Sequence, residues 1–267
     1  LKGFILPFRS WRSATFYRDV WTREGSPLIV NSEKLTKKVQ ALLPKWDVQL
    51  AMTYEQPSIK DVLGTMKQRD DHIIVLSLFP HYTRSTTMPV IKQVKAVDPD
   101  AEIIDRFGNE DGFVKVVAAH IEQSWKQKHY DRLIISYHGI PQSTVNHGDP
   151  YQKQTRQMTE QLKKVLTIPD KQIIMAYQSK FGPAPWLKPY LKNTLLQEAQ
   201  LGHRNILIAA PSFATDCLET LEEDGVQNYQ AFRQQGGQEL DVVPAPNDDP
   251  AFAQFIADLV EKQASKA

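Results

Sequence analysis

"QIIMAYQSKFGPAPWLKPYLKNTLLQEAQLGHRNILIAAP", residues 172–211, decides how the fold is read. Residues 172–177 form a short apolar run of strand length and composition. A loop with Pro183, Pro185 and Pro189 follows, and proline has no N–H to continue a ladder. Residues 191–201 then place apolar side chains at helical spacing. Residues 205–210 are a second apolar run, stopped by Pro211. Strand, helix and strand in this order predict a parallel α/β unit.

The same order occurs once before. Residues 48–54 read as a strand, followed by a loop with Pro57, a helix over 59–67, a strand over 73–78 and then Phe79-Pro80. This weak internal duplication predicts two similar lobes facing each other. The second lobe opens with a strand over 133–136 and a helix over 151–166. The first has a matching helix over 33–43, but residues 1–18 read as apolar and basic helix or loop. Its opening strand is therefore expected upstream of Leu1, where the chain starts without a methionine. A short strand over 102–104 and a helix over 112–126, with His120 on its polar face, lie between. Asp249-Pro250 reads as N-cap and first position of a last helix over 251–262. The expected organisation is α/β, with one lobe over 1–126, a second over 127–247, and a C-terminal helix, 248–267, packing back on both.

Composition narrows the function. Apolar residues are 41% and charged residues 24% of 267, with a formal net charge of +1, as expected of a globular protein with no phosphate-binding footprint. Nucleic acid is excluded as a partner on that ground. The longest apolar runs are far shorter than the roughly 20 residues that cross a bilayer, and no signal peptide pattern is present, so a cytoplasmic protein is expected. One cysteine, Cys217, cannot build a disulfide framework or a cluster held by several cysteines of this chain.

In an open parallel sheet, ligands sit beyond the carboxyl ends of the strands. The residues expected there are Tyr54, His81 and Tyr82, His138, the run Tyr177-Gln178-Ser179-Lys180, and "PSFATDCLETLEE" at 211–223. Asp216 with Glu219 three residues on reads as a capping box, which accounts for Glu219 without function. It accounts less well for Glu223, since like charges at i,i+4 cost about 0.2–0.5 kcal/mol. Imidazole beside carboxylates suits borderline divalent cations such as Fe(II), Zn(II) or Co(II). Trp186 reads either as core or as a wall for a flat conjugated ligand.

Taken together, "SYHGIPQSTVNHGDPY" at 136–151, "YQSKFGPAPWLKPY" at 177–190 and "PSFATDCLETLEE" resemble the ferrochelatase family, enzymes that insert ferrous iron into a porphyrin. The resemblance continues through "GSPL" at 25–28, "FPHYTRSTT" at 79–87 and "DRF" at 105–107, in the family's order along the whole chain. It implies a chelatase-like, Rossmann-like fold of two lobes, each a parallel sheet flanked by helices, with the active site in the cleft between them. It implies His138 and Glu219 as catalytic residues, and His138, Glu219 and Glu223 as the groups that meet the metal. Trp186, Ser26, Arg18 and Phe4 (in the apolar lip "GFILPFRS") are implied as substrate-binding positions, and Tyr54 and Tyr82, read above as standing past strand ends, are expected to join them. Some members carry a histidine where this chain has Cys217, and some a cluster-binding cysteine where it has Arg84.

The expected activity is insertion of Fe(II) into protoporphyrin IX or coproporphyrin III in haem biosynthesis. No tightly bound cofactor and no iron–sulfur cluster are expected, with iron as substrate, the protein a monomer, and membrane contact at most peripheral. A non-catalytic tetrapyrrole-binding protein and a chelatase for another metal are the alternatives. From the residues alone, His138 can be either the proton acceptor or a metal ligand, and the face by which iron enters is open.

Overall fold

A computed structural model of the chain describes residues 21–69 and 72–266. All strand pairing among them is parallel and falls into two sheets. In the first, β1 (Ile74–Leu76) pairs with β2 (Glu102–Ile104), Val75 opposite Ile103. In the second, β3 (Arg132–His138), β4 (Ile173–Gln178), β5 (Asn205–Ala209) and β6 (Glu239–Val242) run in the order β4-β3-β5-β6. Between and around them lie α1 (Pro27–Leu42), α2 (Ile59–Met66), α3 (Thr87–Val97), α4 (Asp111–Trp125), α5 (Gln142–Asn146), α6 (Tyr151–Val165), α7 (Leu191–Gln200), α8 (Tyr229–Gln234) and α9 (Pro250–Ala264). A π-helical segment, Glu219–Asn228, precedes α8. The α/β class with parallel sheets flanked by helices is as the sequence predicted.

β3 is the spine of the second sheet, and its composition shows why. A strand covered on both faces needs a nearly continuous apolar run. Leu133, Ile135 and Tyr137 enter one core with α1, α4, α6 and α9, through residues such as Val39, Phe113, Met158 and Phe252. Ile134 enters a second core on the other face, with Leu191, Leu195 and Phe232. The two-residue period of the strand makes that division. Each such fully buried aliphatic side chain contributes about 1.5–3 kcal/mol. A third cluster packs Ile59 and Leu63 of α2, Val90 and Val94 of α3, and Ile73 together beside β1.

The cap of α9 forms as expected: Asp249 Oδ1 accepts from Ala251 N at 2.7 Å and Phe252 N at 3.3 Å. Helix α1, in contrast, begins at Pro27, well before the expected 33. Ser26-Pro27 is the start, with proline at the first position, where its missing N–H costs nothing. Residues 48–54 do not form a strand. Among the described residues their regular pairing is limited to one bridge between Met52 and Ser58, closed by Met52 N to Pro57 O at 2.7 Å. A strand exists only through a neighbour's ladder, and among the described residues β1 pairs only with β2.

One buried carboxylate joins the two sheets. Asp149, just before α6, accepts from Thr83 Oγ1 and Arg84 N, both at 2.8 Å, and from Tyr151 N at 3.0 Å. Gln154 accepts from Tyr82 N and donates to Tyr82 O, each at 3.0 Å. The loop after β1 is thereby pinned to the start of α6.

Behind this junction lies His81, edge-on to Tyr137 at 5.5 Å and Tyr151 at 5.9 Å. Neither ring nitrogen has a hydrogen-bond partner among the described residues. A Cβ on Gly108 would lie 2.6 Å from its Nε2, so only glycine fits there. Burial holds the imidazole neutral, with its pKa lowered from 6.5 to about 3. The unfolded chain binds a proton that the fold excludes. The contribution of this group is therefore intact above pH 6.5, falls as pH drops below that value, and levels off near pH 3. Denaturant unfolding is expected to show a loss of about 1.4 kcal/mol per pH unit from this group between about pH 6 and 4, absent in His81→Phe. An identical acid slope in the variant would refute it.

Candidate active site

β3, β4 and β5 are parallel, so their carboxyl ends share one edge of the sheet. His138 is the last residue of β3. Its backbone N–H donates to Ser212 Oγ at 2.9 Å, and its carbonyl accepts from Tyr151 Oη at 2.8 Å. Its ring Nδ1 lies 2.7 Å from Gly139 O. A carbonyl can only accept, so that contact assigns the proton to Nδ1 and leaves the lone pair on Nε2.

The glycine after the histidine has a steric reason. A Cβ at Gly139 would lie 2.8 Å from Gln178 O and 3.1 Å from Trp186 Cε3. With no side chain there, Gly139 N donates to Gln178 O at 2.9 Å and Trp186 closes down beside the histidine. Trp186 stands 6.5 Å from the His138 ring and Phe213 6.1 Å, centroid to centroid. The histidine is flanked by two aromatic walls.

The acidic side comes from the π-helical segment, a form often found at functional sites. The expected capping box does not form. The Asp216 carboxylate accepts from Asn247 Nδ2 at 2.6 Å, Thr220 Oγ1 at 2.9 Å and Ala245 N at 3.3 Å, so it is occupied elsewhere. Glu219 Oε2 accepts instead from Cys217 Sγ at 3.0 Å. Burial, reinforced by the Glu219 charge, pushes the Cys217 thiol up, so it acts as a thiol donor.

Glu223 is held by the residue just past β4. Its carboxylate accepts from Ser179 N at 2.7 Å and Ser179 Oγ at 2.6 Å. Ser179 takes a φ of 61°, and both its donors meet the one side chain. Burial pushes the Glu223 pKa up against these two hydrogen bonds, with the His138 charge lowering it and Glu219 raising it. His138, Glu219 and Glu223 therefore share one electrostatic neighbourhood. Behind them, burial raises Asp224 well above the carboxylate range, and Asn228 Nδ2 donates to it at 3.0 Å. Gln178 Oε1 accepts from Ser136 Oγ at 2.7 Å, tying β3 to β4 below the site.

Among the described residues, no three of His, Cys, Asp and Glu are spaced to grip a metal ion together. His138 and the acidic residues are separate contributors, not a preassembled cage. Tyr54 is 80% exposed on a bend, not at a strand end as expected. Ser26 heads α1 without a side-chain cap bond. Tyr82 is half-buried, with the Arg106 guanidinium 4.9 Å from its ring centre. No described hydrogen bond or ring contact joins these three to His138. Arg18 and Phe4 lie outside the described residues. Two surface hollows, of about 390 and 360 Å³, lie elsewhere, one beside β2 and one beside His120 and Tyr130.

Sequence alone assigns no role to three supporting residues: Ser179, Ser212 and Tyr151. Ser179 and Ser212 stand one and three residues past the ends of β4 and β5, a position that is itself a signal. Tyr151 gives none, because its hydroxyl meets a main-chain carbonyl.

The family model described as Ferrochelatase matches residues 1–264. The coproporphyrin III ferrochelatase of Limosilactobacillus reuteri is 60% identical over 98% of this chain and 85% of its own length. That of Lactiplantibacillus plantarum is 51% identical over 98% and 82%. The ferrochelatase of Cronobacter sakazakii is 37% identical over 98% and 84%. Among solved structures, a multi-domain protein of Deinococcus radiodurans described as structurally similar to chelatases aligns with a TM-score of 0.57 at 10% identity. It covers 86% of this chain and 50% of that one, and bears on the fold alone.

Proposed function

The chain belongs to the ferrochelatase family, metal chelatases that insert ferrous iron into a porphyrin in haem synthesis, and on that premise we propose coproporphyrin III as its substrate and His138, Glu219 and Glu223 as the residues that carry the reaction. The substrate reading is supported by the relatives at 60% and 51% identity, both coproporphyrin III ferrochelatases. The residue roles are supported above all by His138, whose Nδ1 is committed to Gly139 O and whose Nε2 has no hydrogen-bond partner among the described residues.

Metallation balances simply: one divalent cation enters the ring and two N–H protons leave it. A proton acceptor must therefore stand at the ring nitrogens. His138 is suited to that task, because an imidazole titrates near neutral pH and its Nδ1–H is already committed to Gly139 O. Trp186 and Phe213 beside it offer apolar faces to a flat macrocycle. Glu219 is the charge that receives Fe(II) before insertion. Glu223, anchored by Ser179, is the next station behind it for cation or proton. Iron is cargo in this scheme, so a transient pair of carboxylates is enough and no closed cage is required. Tyr54, Ser26, Tyr82, Arg18 and Phe4 stay as proposed contacts of the porphyrin periphery.

The same proposal sets the enzyme in the cytoplasm without a resident cofactor, as a monomer. Among the described residues no helix is long and apolar enough to cross a membrane. It also keeps the division into lobes at 1–126 and 127–247 with a closing helix at 248–267, although the largest core among the described residues, from Leu35 to Ala257, runs across that division.

Anaerobic steady-state metallation, followed by absorbance, tests the substrate. Wild-type kcat/KM is expected to favour coproporphyrin III over protoporphyrin IX by about tenfold or more, a difference of about 1.4 kcal/mol in transition-state binding. Equal values would end the coproporphyrin reading.

A further inference from the structure

Two ammonium groups converge on one tyrosine at the edge of this site, and no described carboxylate pairs with either. Lys180 Nζ lies 5.7 Å from the centre of the Tyr190 ring and Lys188 Nζ 5.8 Å from it. Both lysines are exposed. The Lys180 ammonium donates to Gly182 O at 2.7 Å, a bond that leaves its charge uncompensated.

Their positions are set by the site itself. Lys180 follows Ser179, whose N–H and hydroxyl hold Glu223. Lys188 stands two residues past Trp186, the wall beside His138. Tyr190, which both lysines overlie, has its hydroxyl 3.4 Å from the backbone N and O of Trp186. Pro189 O accepts from Tyr177 N at 2.8 Å, fastening this segment to β4. Phe181, 58% exposed, adds an aromatic face between the two lysines in sequence.

Most exposed lysines are simply hydrated. This pair differs in sharing one ring, in lacking an acidic partner among the described residues, and in being attached at both ends to residues of the site. Both ammonium groups lie within 5.8 Å of one ring centre, so they can be no more than about 12 Å apart; like charges that close repel, and an anion near both relieves that repulsion. The neighbouring aromatics favour an anion carried on a flat apolar body.

We infer that Lys180 and Lys188 form a carboxylate-binding subsite at the Trp186 edge of the active site, which takes a propionate of the porphyrin. The inference rests on the coproporphyrin reading above and says where the selectivity comes from. Coproporphyrin carries propionates at ring positions where protoporphyrin carries neutral vinyl groups, so only the tetracarboxylic ring offers an acid at this second edge. Exposed charge pairs contribute little each, but two acting on one substrate edge amount to a preference of the expected size.

The test is porphyrin affinity by fluorescence titration, with metallation kinetics in parallel, for wild type, the double variant Lys180→Ala/Lys188→Ala and the charge-keeping Lys180→Arg/Lys188→Arg. The alanine pair is expected to raise the Kd for coproporphyrin III about tenfold and to flatten its salt dependence. Its Kd for protoporphyrin IX should move much less, so the ratio between the two collapses, and the arginine pair should restore that ratio. Equal weakening of both porphyrins, or an unmoved coproporphyrin Kd, overturns the subsite. A wild type with no preference for coproporphyrin sinks the substrate reading and the subsite with it. A wild-type preference that survives the alanine pair sinks the subsite alone.

Discussion

His138→Ala is expected to lose at least about a thousandfold in kcat for metallation while still binding porphyrin, the upper part of the range for removal of a general base. The loss should be chemical and not structural, because of how the strand end is held. Its two anchoring hydrogen bonds, to Ser212 Oγ and from Tyr151 Oη, use the main chain of residue 138 and survive any side chain. What alanine removes is the ring: the Nε2 lone pair and the edge contacts with Trp186 and Phe213. Melting temperature and porphyrin affinity should therefore change little, and added imidazole should recover part of the rate. A variant that keeps a tenth or more of wild-type kcat would show that the ring protons leave by another route, and the role given to His138 would fall.

Much of this fold is legible in the amino-acid sequence alone. The apolar run of 133–135 has the length and composition of a strand covered on both faces, and β3 is that strand, with Ile134 on one side and Leu133, Ile135 and Tyr137 on the other. Asp249-Pro250 carries its own start signal, because capping is a local event between a side chain and the next few N–H groups. Residues 48–54 have the composition of a strand but fail as one, since a ladder needs a neighbour and composition does not say whether one is present. The start of α1 at Ser26-Pro27 follows the same rule as that of α9, but the motif "GSPL" suggests ligand contacts first and a helix start second. At Asp216 the spacing of a capping box is right and the partner wrong. Asn247 and Ala245, far along the chain, take the oxygens that a local rule assigns to the helix. The site shows the same division. His138 and Glu219 are visible as types at positions, whereas the hold of Ser179 on Glu223 depends on a backbone angle that sequence does not reveal.

Glu219→Gln is the second large loss, and its form differs from that at His138. The substitution keeps size and hydrogen-bonding shape, so the Cys217 thiol still finds an oxygen to donate to, and only the charge is removed. If Glu219 receives Fe(II), the missing charge is felt when the metal arrives. kcat/KM for iron should fall about a hundredfold, mostly through KM, with porphyrin affinity nearly unchanged. Glu223→Gln should cost less, because both oxygens of Glu223 are already engaged by Ser179 N and Oγ and a glutamine can keep only one of those bonds as an acceptor. The ordering matters more than either figure. A metal-binding role requires that saturating iron rescue Glu219→Gln while leaving His138→Ala inactive, since concentration can replace a weakened cation site but cannot supply an absent base. If instead both variants fail alike at every iron concentration, Glu219 works on the proton side with His138, and the division of labour between the strand end and the π-helical segment has to be redrawn.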